Sequence, residues 1–251
     1  YGNASDLATT TLGENFDYEQ QVAELPILDR GIERVAEYSP NISYGPSANT
    51  LSIAGAPSFD TVVLLDGAEV SDPYFGSAAD LFLEDAVREV QVLTSGISAR
   101  YGRFQGGVIN AITKSGTNDF EGTLRAEFEK QSWDAKTPFG ETQDDTLNPT
   151  YQATVGGPLI TDRAWFFAGG RSFPTRREAK TALFTGESFS TESEETRWQL
   201  KLTGALTPNQ LLEVSHLDFD ATDDQTDGLP AGEIRALGTR HDPNTTDTLG
   251  Y

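Results

Sequence analysis

Few side chains in this chain of 251 residues have the type and spacing that chemistry asks for. Gly102, Gly106 and Gly107 punctuate one short bend, as the glycines of a phosphate-cradling loop do. Such a loop continues into Gly-Lys-Ser or Gly-Lys-Thr. Here Lys114-Ser115 follows Thr113 in a strand-like run, so the glycines are assigned to turn geometry and close packing, and nucleotide binding is set aside. Five carboxylates, Asp218, Asp220, Asp223, Asp224 and Asp227, fall within ten residues. They have the composition of a weak calcium loop, but their spacing misses the EF-hand pattern, and a solvated acidic loop is the preferred reading. His216 and His241 are the only histidines and have no spaced carboxylate–histidine partner, so neither zinc binding nor general-base work is expected. No nucleophile–base pair stands out, so no enzyme and no cofactor are expected.

Composition narrows the class further. The net charge of −21 repels polyanions, which removes nucleic acid as a partner and otherwise reads as a solvated surface. Cysteine is absent, which excludes disulfides and thiolate metal sites. No apolar run reaches about 18 residues, so no membrane-spanning helix is expected. No Met is present and no signal peptide is visible at Tyr1, so the chain is expected to be an internal piece or a processed form. Abundant Thr, Ser, Gly and Asn with 10% aromatics suit strands and turns.

The elements that position these residues fall into two halves. Residues 1–25 are polar and expected to be extended or mobile. Residues 26–38 predict a short helix, with Asp29 as its cap, Ile32, Val35 and Ala36 on one face, and Pro40 as its stop. Short strands follow at 51–54 and 61–65, the second closed by the turn pair Asp66-Gly67. A loop at 71–76, a short helix at 81–88, a strand at 89–93, the glycine bend at 101–107 and a strand at 108–113 complete an α+β unit over 26–118. From 119 to 251 the pattern changes to five strands, at 122–130, 150–156, 164–173, 196–205 and 211–220. The fifth has two apolar phases, Leu212 and Val214 against Leu217 and Phe219, which a bulge near His216 would reconcile.

In this second half the strands are about ten residues long, one face of each is apolar, and long polar loops (131–149, 175–192, 221–251) alternate with short turns (157–163, 206–210). A transmembrane barrel has these three properties together, with long loops outside and short turns in the periplasm. Leu124, Phe128, Trp198, Leu200 and Leu202 are then expected to face lipid, and Arg125, Glu127, Arg197 and Lys201 the lumen. Trp165, Phe166, Phe167 and Trp198 fit either an interfacial girdle or a buried core. Five strands cannot close a barrel, because an open edge leaves backbone groups unpaired in lipid. The remaining strands are expected outside this sequence. A soluble secreted β-rich module that binds carbohydrate or protein would share the alternation but has no reason for the loop asymmetry.

Three stretches carry a resemblance. They are Leu65-Asp66-Gly67, the run from Asp85 through Tyr101-Gly102, Gly106-Gly107-Val108, Asn110 and Thr113-Lys114 to Phe120 and Gly122, and Gly156-Gly157-Pro158 through Asp162-Arg163 to Trp165-Phe166-Phe167. Together they resemble the plug domain and first barrel strands of TonB-dependent outer-membrane receptors, on their Oar-like branch. The resemblance implies an α+β plug followed by antiparallel strands of a 22-stranded barrel in the outer membrane of a Gram-negative bacterium. It implies gated transport without chemistry. A ligand binds outside and TonB, energised from the inner membrane, opens the plug. Outer-membrane lipid, an external ligand and a surface lipoprotein are the other partners it implies. Peptide, glycan or metal-chelate import and protein export stay open. The family's plug strand carries an Arg-Gly pair where this chain has Ala54-Gly55. The TonB box is not recognisable in residues 1–25 and is expected before Tyr1. Arg100, Tyr101, Gly102, Arg103, Gly106 and Gly107 are the expected latch or gating residues, with Arg100 and Arg103 either paired to wall acids such as Glu127 or solvated.

Overall fold

The computed structural model describes residues 12–18, 21–22, 32–44, 51–71, 83–98, 101–135, 143–181, 188–207, 210–224, 240–241 and 244–250. Two compact units meet between Lys114 and Ser115, four residues before the expected boundary after residue 118.

The first unit is a five-stranded mixed sheet. Its strands are β1 (Leu12–Asp17), β4 (Val62–Leu65), β5 (Ala68–Glu69), β6 (Val87–Ser95) and β7 (Val108–Thr113), in the order β1-β6-β7-β4-β5. A separate ribbon joins β2 (Ile42–Tyr44) to β3 (Leu51–Ile53). The strand β7 lies in the middle, antiparallel to β6 and parallel to β4. Being flanked on both sides, it and β4 read as apolar runs rather than alternations, and every residue of β4 is buried. The helix α1 (Ile32–Ala36) buries Ile32, Val35 and Ala36, the face expected from their spacing. The rest of the predicted helix at its N-terminal side, including Asp29, lies outside the described residues.

Asp66 (φ 50°) and Gly67 (φ 84°) both take the left-handed conformation, which makes the two-residue hairpin turn between β4 and β5. The Asp66 carboxylate accepts from the Thr113 N–H (2.9 Å) and hydroxyl (2.5 Å), tying this turn to the end of β7. Ala54 (φ 54°) and Gly55 (φ 80°) form a second such pair after β3.

Of three expectations for this unit, one changes. Residues 12–17 form an edge strand on β6, the extended alternative of the expectation for residues 1–25. The short helix at 81–88 is a single 3₁₀ turn at Glu84–Ala86, and β6 begins immediately at Val87. The loop at 71–76 is described only at Ser71, whose hydroxyl accepts from the Val63 N–H (2.7 Å).

The second unit is an antiparallel meander of β8 (Glu121–Glu129), β9 (Asn148–Ile160), β10 (Ala164–Thr181), β11 (Ser188–Thr207) and β12 (Gln210–Asp224). Beyond the expected five strands, β13 (Arg240–His241) and β14 (Asn244–Gly250) both pair with the far side of β12. Segments expected as loops therefore carry strand. Residues 175–181 and 188–192 belong to β10 and β11, and residues 221–224, 240–241 and 244–250 are also paired.

The strands have 13, 18, 20 and 15 residues from β9 to β12, not about ten. The apolar signal ended early because their upper parts are charged. A register shift between Phe173 and Arg176 in β10 contains Pro174, which cannot donate to a ladder and marks where the apolar part ends. No bulge occurs near His216, since the β11–β12 register is unbroken from Glu192↔Asp224 to Ala205↔Leu211.

Candidate functional site

Side-chain direction in the second unit follows from register. One set of cross-strand rows runs Leu124–Ala153–Gly170–Trp198 and Val155–Ala168–Leu200. The rows between them, on the other face, run Arg125–Gln152–Arg171–Arg197–Phe219 and Thr123–Thr154–Gly169–Gln199–Leu217. The apolar rows are the exposed ones. Leu124 is 88% exposed, and Phe128, Tyr151, Val155, Trp198, Leu200 and Leu202 are also exposed. On the polar face Gln152, Thr154, Arg197, Gln199, Lys201 and Ser215 are buried. A sheet stabilised in water does the reverse.

Ion pairs hold the polar face. Glu195 pairs with Arg197, whose guanidinium carbon also lies 4.9 Å from the centre of the Phe219 ring, and Lys201 pairs with Glu213 at 2.9 Å. Leu217 and Phe219 are buried on this face, which accounts for the second apolar phase of β12 without a bulge. On the exposed face the Trp198 and His216 rings sit 4.7 Å apart.

The bend at residues 101–107 belongs to the first unit. Its one left-handed residue is Arg103 (φ 60°), and Gly102, Gly106 and Gly107 do not have positive φ. Gly106 and Gly107 are needed for close approach instead. A Cβ on Gly106 would lie 2.9 Å from the Ala56 Cβ, and one on Gly107 would lie 2.6 Å from the Leu93 carbonyl oxygen and 2.7 Å from an Ile53 methyl. A Cβ on Gly102 would meet nothing within 4 Å. Tyr101 and Phe104 pack against Val62, Leu64 and Val108. Arg103 reaches Glu69 at 3.4 Å, and Glu127, its suggested partner, is 3.4 Å from Arg125. Arg100 lies outside the described residues.

The acidic cluster divides. Asp218 and Asp220 sit on the same face of β12 as Val214 and His216, and Asp223 and Asp224 continue the strand. Asp227 lies outside the described residues. No group of three or more metal-ligating side chains occurs among the described residues.

Above the Pro174 shift, β10 and β11 continue as a hairpin held by charge. Arg176 pairs with Glu129 (3.0 Å) and Glu178 (2.9 Å), and Arg177 pairs with Glu192. The edge of β10 that β9 no longer reaches is covered by two side-chain amides. Asn148 donates to the Arg177 carbonyl (3.0 Å) and accepts from its N–H (2.9 Å). Gln131 does the same at Ala179, at 2.9 Å each way. Each amide thus stands in for one residue of a missing strand. Nearby, Lys130 pairs with Asp145 at 2.8 Å, and that hydrogen bond together with one from Ser132 holds the Asp145 carboxyl below the usual carboxylate range. A cleft of about 340 Å³ opens here among Phe128, Glu129, Trp133, Asp134, Arg176 and Glu178.

At the other end of the strands, the residues leading into β8 are fixed to the turn between β9 and β10. The Asn118 amide donates to the Asp162 carboxylate (2.5 Å), and its oxygen accepts from the Asp162 N–H (3.0 Å) and the Trp165 indole N–H (2.7 Å). Asp162 holds the turn with φ 63°. A Cβ on Gly116 would fall 2.2 Å from the Phe166 carbonyl oxygen, and one on Gly157 would fall 2.4 Å from the Phe120 ring. Sequence reasoning quoted both segments but did not join them, although their glycines and paired Asn and Asp were the available signal. Gln131 and Asn148 gave no signal, because an amide in a polar loop looks like any other.

Residues 112–196 match the family model described as an outer membrane beta barrel domain. Over 213 residues the chain is 33% identical to the TonB-dependent transporter Oar of Myxococcus xanthus, covering 76% of this chain and 20% of that protein. The chain thus spans about a fifth of this curated relative. Among solved structures it is similar to the ferric enterobactin receptor of Pseudomonas aeruginosa (TM-score 0.65, 18% identity, 98% of this chain and 40% of that one). It is also similar to the outer membrane transporter YddB of Escherichia coli (TM-score 0.70, 16% identity, 94% of this chain and 36% of that one). At these identities the two structures speak for the fold alone.

Proposed function

We propose, from the premise that the chain belongs to the TonB-dependent outer-membrane receptors on their Oar-like branch, that it supplies the plug and the first wall strands of a gated transporter. In this reading the second unit is part of a 22-stranded barrel whose other strands lie in sequence beyond this chain, and the first unit is the plug. A ligand is taken up at the extracellular side, and TonB supplies the work of opening. Outer-membrane lipid covers the apolar rows, and a surface lipoprotein is a further partner. The protein does no covalent chemistry.

The observation that carries this reading is the polarity of the second unit. Leu124, Trp198, Leu200 and Leu202 are exposed on strands whose alternate residues, Arg197, Gln199 and Lys201, are buried. Lipid is the solvent that rewards that arrangement, and a β-barrel is the strand structure that satisfies every backbone group within it. A soluble binding module would leave these rows in water, which disfavours it.

The test uses the full-length receptor. It should need detergent for extraction and should migrate faster unheated than boiled on a gel. Passage of its ligand or of a leaking antibiotic should depend on TonB. Recovery of the unheated protein in the soluble fraction without detergent would overturn the reading.

A further inference from the structure

The strip that enters the wall and the first turn of the wall are locked together by contacts of three independent kinds. A carboxamide makes three hydrogen bonds, from Asn118 to Asp162 and Trp165. Two backbones approach so closely that only glycine fits, at Gly116 against the Phe166 and Gly157 carbonyl oxygens. An aromatic ring, Phe120, lies over Gly157, where any larger residue would collide with it, and stands 6.3 Å from the Phe166 ring. Gly122 continues the strip, since a Cβ there would lie 2.6 Å from the Thr154 carbonyl oxygen. On the other side of the unit boundary, the Lys114 N–H donates to the Ala86 carbonyl at 2.7 Å, within the first unit. Between that bond and the lock at Gly116, only Ser115 is left.

We propose that residues 116–120 and 156–166 form a clasp that shortens the link between the two units to the single joint at Ser115. Its role is to keep the first unit on a short tether when it is displaced. Backbone spans at most about 3.3–3.6 Å per residue. With the clasp closed, one residue of slack is available. With it open, the free stretch runs to Phe120, six residues, and the slack grows to about 20 Å. The clasp stands on its own geometry. Its consequence for transport rests on the reading given under "Proposed function".

Two variants break the clasp in different ways. Asn118→Ala removes all three amide bonds, and Gly116→Ala forces the strip off the Phe166 carbonyl. Both are made in the full-length receptor, with Ser115→Ala as the control that leaves every clasp contact in place. Amide hydrogen exchange over residues 116–121 should rise about tenfold or more in both variants, while exchange in β6 and in the middle of β11 stays as in the parent protein. In intact cells, leak of a large antibiotic should rise several-fold in both variants and stay at parent level in Ser115→Ala.

Unchanged exchange over residues 116–121 overturns the clasp. Faster exchange with parent-level leak overturns its role as a tether. Parent-protein transport that does not depend on TonB overturns the gated-transport reading instead, and the exchange result still decides the clasp. If either variant fails to insert, Trp165→Phe, which removes the indole N–H and leaves a smaller aromatic ring in place, is read by the same exchange measurement. It should show a smaller rise, and none at all counts against the clasp.

Discussion

Leu200 and Gln199 are chain neighbours with opposite surroundings, the first 38% exposed and the second 1%. Arginine at Leu200 should cost roughly 2–4 kcal/mol, because the position is read as lying mid-strand against lipid. Gln199 points to the polar face but is buried, so a large change there is not harmless. Glu127 is on the same face with its side chain 54% exposed, and Glu127→Gln should cost well under 1 kcal/mol. Urea titration of the full-length receptor refolded into lipid vesicles reads both, and a larger loss at Glu127 than at Leu200 would mean that the strand faces are assigned the wrong way round. The alternation behind this assignment was legible in the sequence, since a period of two needs no tertiary information. The reason for Gly106 and Gly107 was not, because glycine serves positive φ and close approach equally well. Only the positions of Ala56, Ile53 and Leu93 show that close approach is the need here.

The hairpin of β10 and β11 above Pro174 is the element that sequence reasoning missed. Its residues are charged and polar, and it is held by the Arg177–Glu192 pair across the ladder and by Arg176 to Glu178 on the same strand and to Glu129 of β8, rather than by an apolar face, so hydrophobic periodicity could not report it. The same limitation hid β1, β13 and β14, whose short sequences carry few apolar residues. What ends the hairpin's exposed edge is also invisible to pattern, because two side-chain amides, one at the start of β9 and one in the turn after β8, replace a strand. Removing either should release two backbone bonds to β10, and removing Gln131 also frees the Asp144 N–H, which donates to it at 2.9 Å. Gln131→Ala is expected to cost about 1–3 kcal/mol of local stability and to speed exchange of the Ala179 amide while leaving Arg177 nearly unchanged, with the converse for Asn148→Ala. Hydrogen exchange resolved to single residues measures this, and a uniform effect on both amides would show that the loop and the hairpin open together. The Lys130–Asp145 pair in the same loop should survive mild acid. With the Asp145 pKa lowered, its contribution is present above the ordinary value of 3.8 and is lost only as pH falls through the lower folded value.

At the scale of the whole molecule, the alternation of long and short connections assigns sides. Tags near residue 140, or within 182–187 where the β10–β11 connection lies, should be labelled on intact cells, and a tag near residue 208 should not. Labelling at 208 alone would invert the topology. The division into an α+β half and an antiparallel half was legible from the change of pattern after Gly116, whereas the upper extent of the strands was not. One feature of the first unit bears on how the molecule comes into being. Its sheet is centred on β7, the last strand of that unit to leave the ribosome and the translocation channel. Until residues 108–113 arrive, β4 and β6 have no common neighbour, and the parallel pairing of Val62 with Val108 must close a loop of more than forty residues. Closing so long a loop is slow compared with forming a hairpin. The first unit therefore finishes assembling only as the wall begins to emerge, and until then its all-apolar β4 has β5 on one side and an open edge on the other, in need of protection from aggregation.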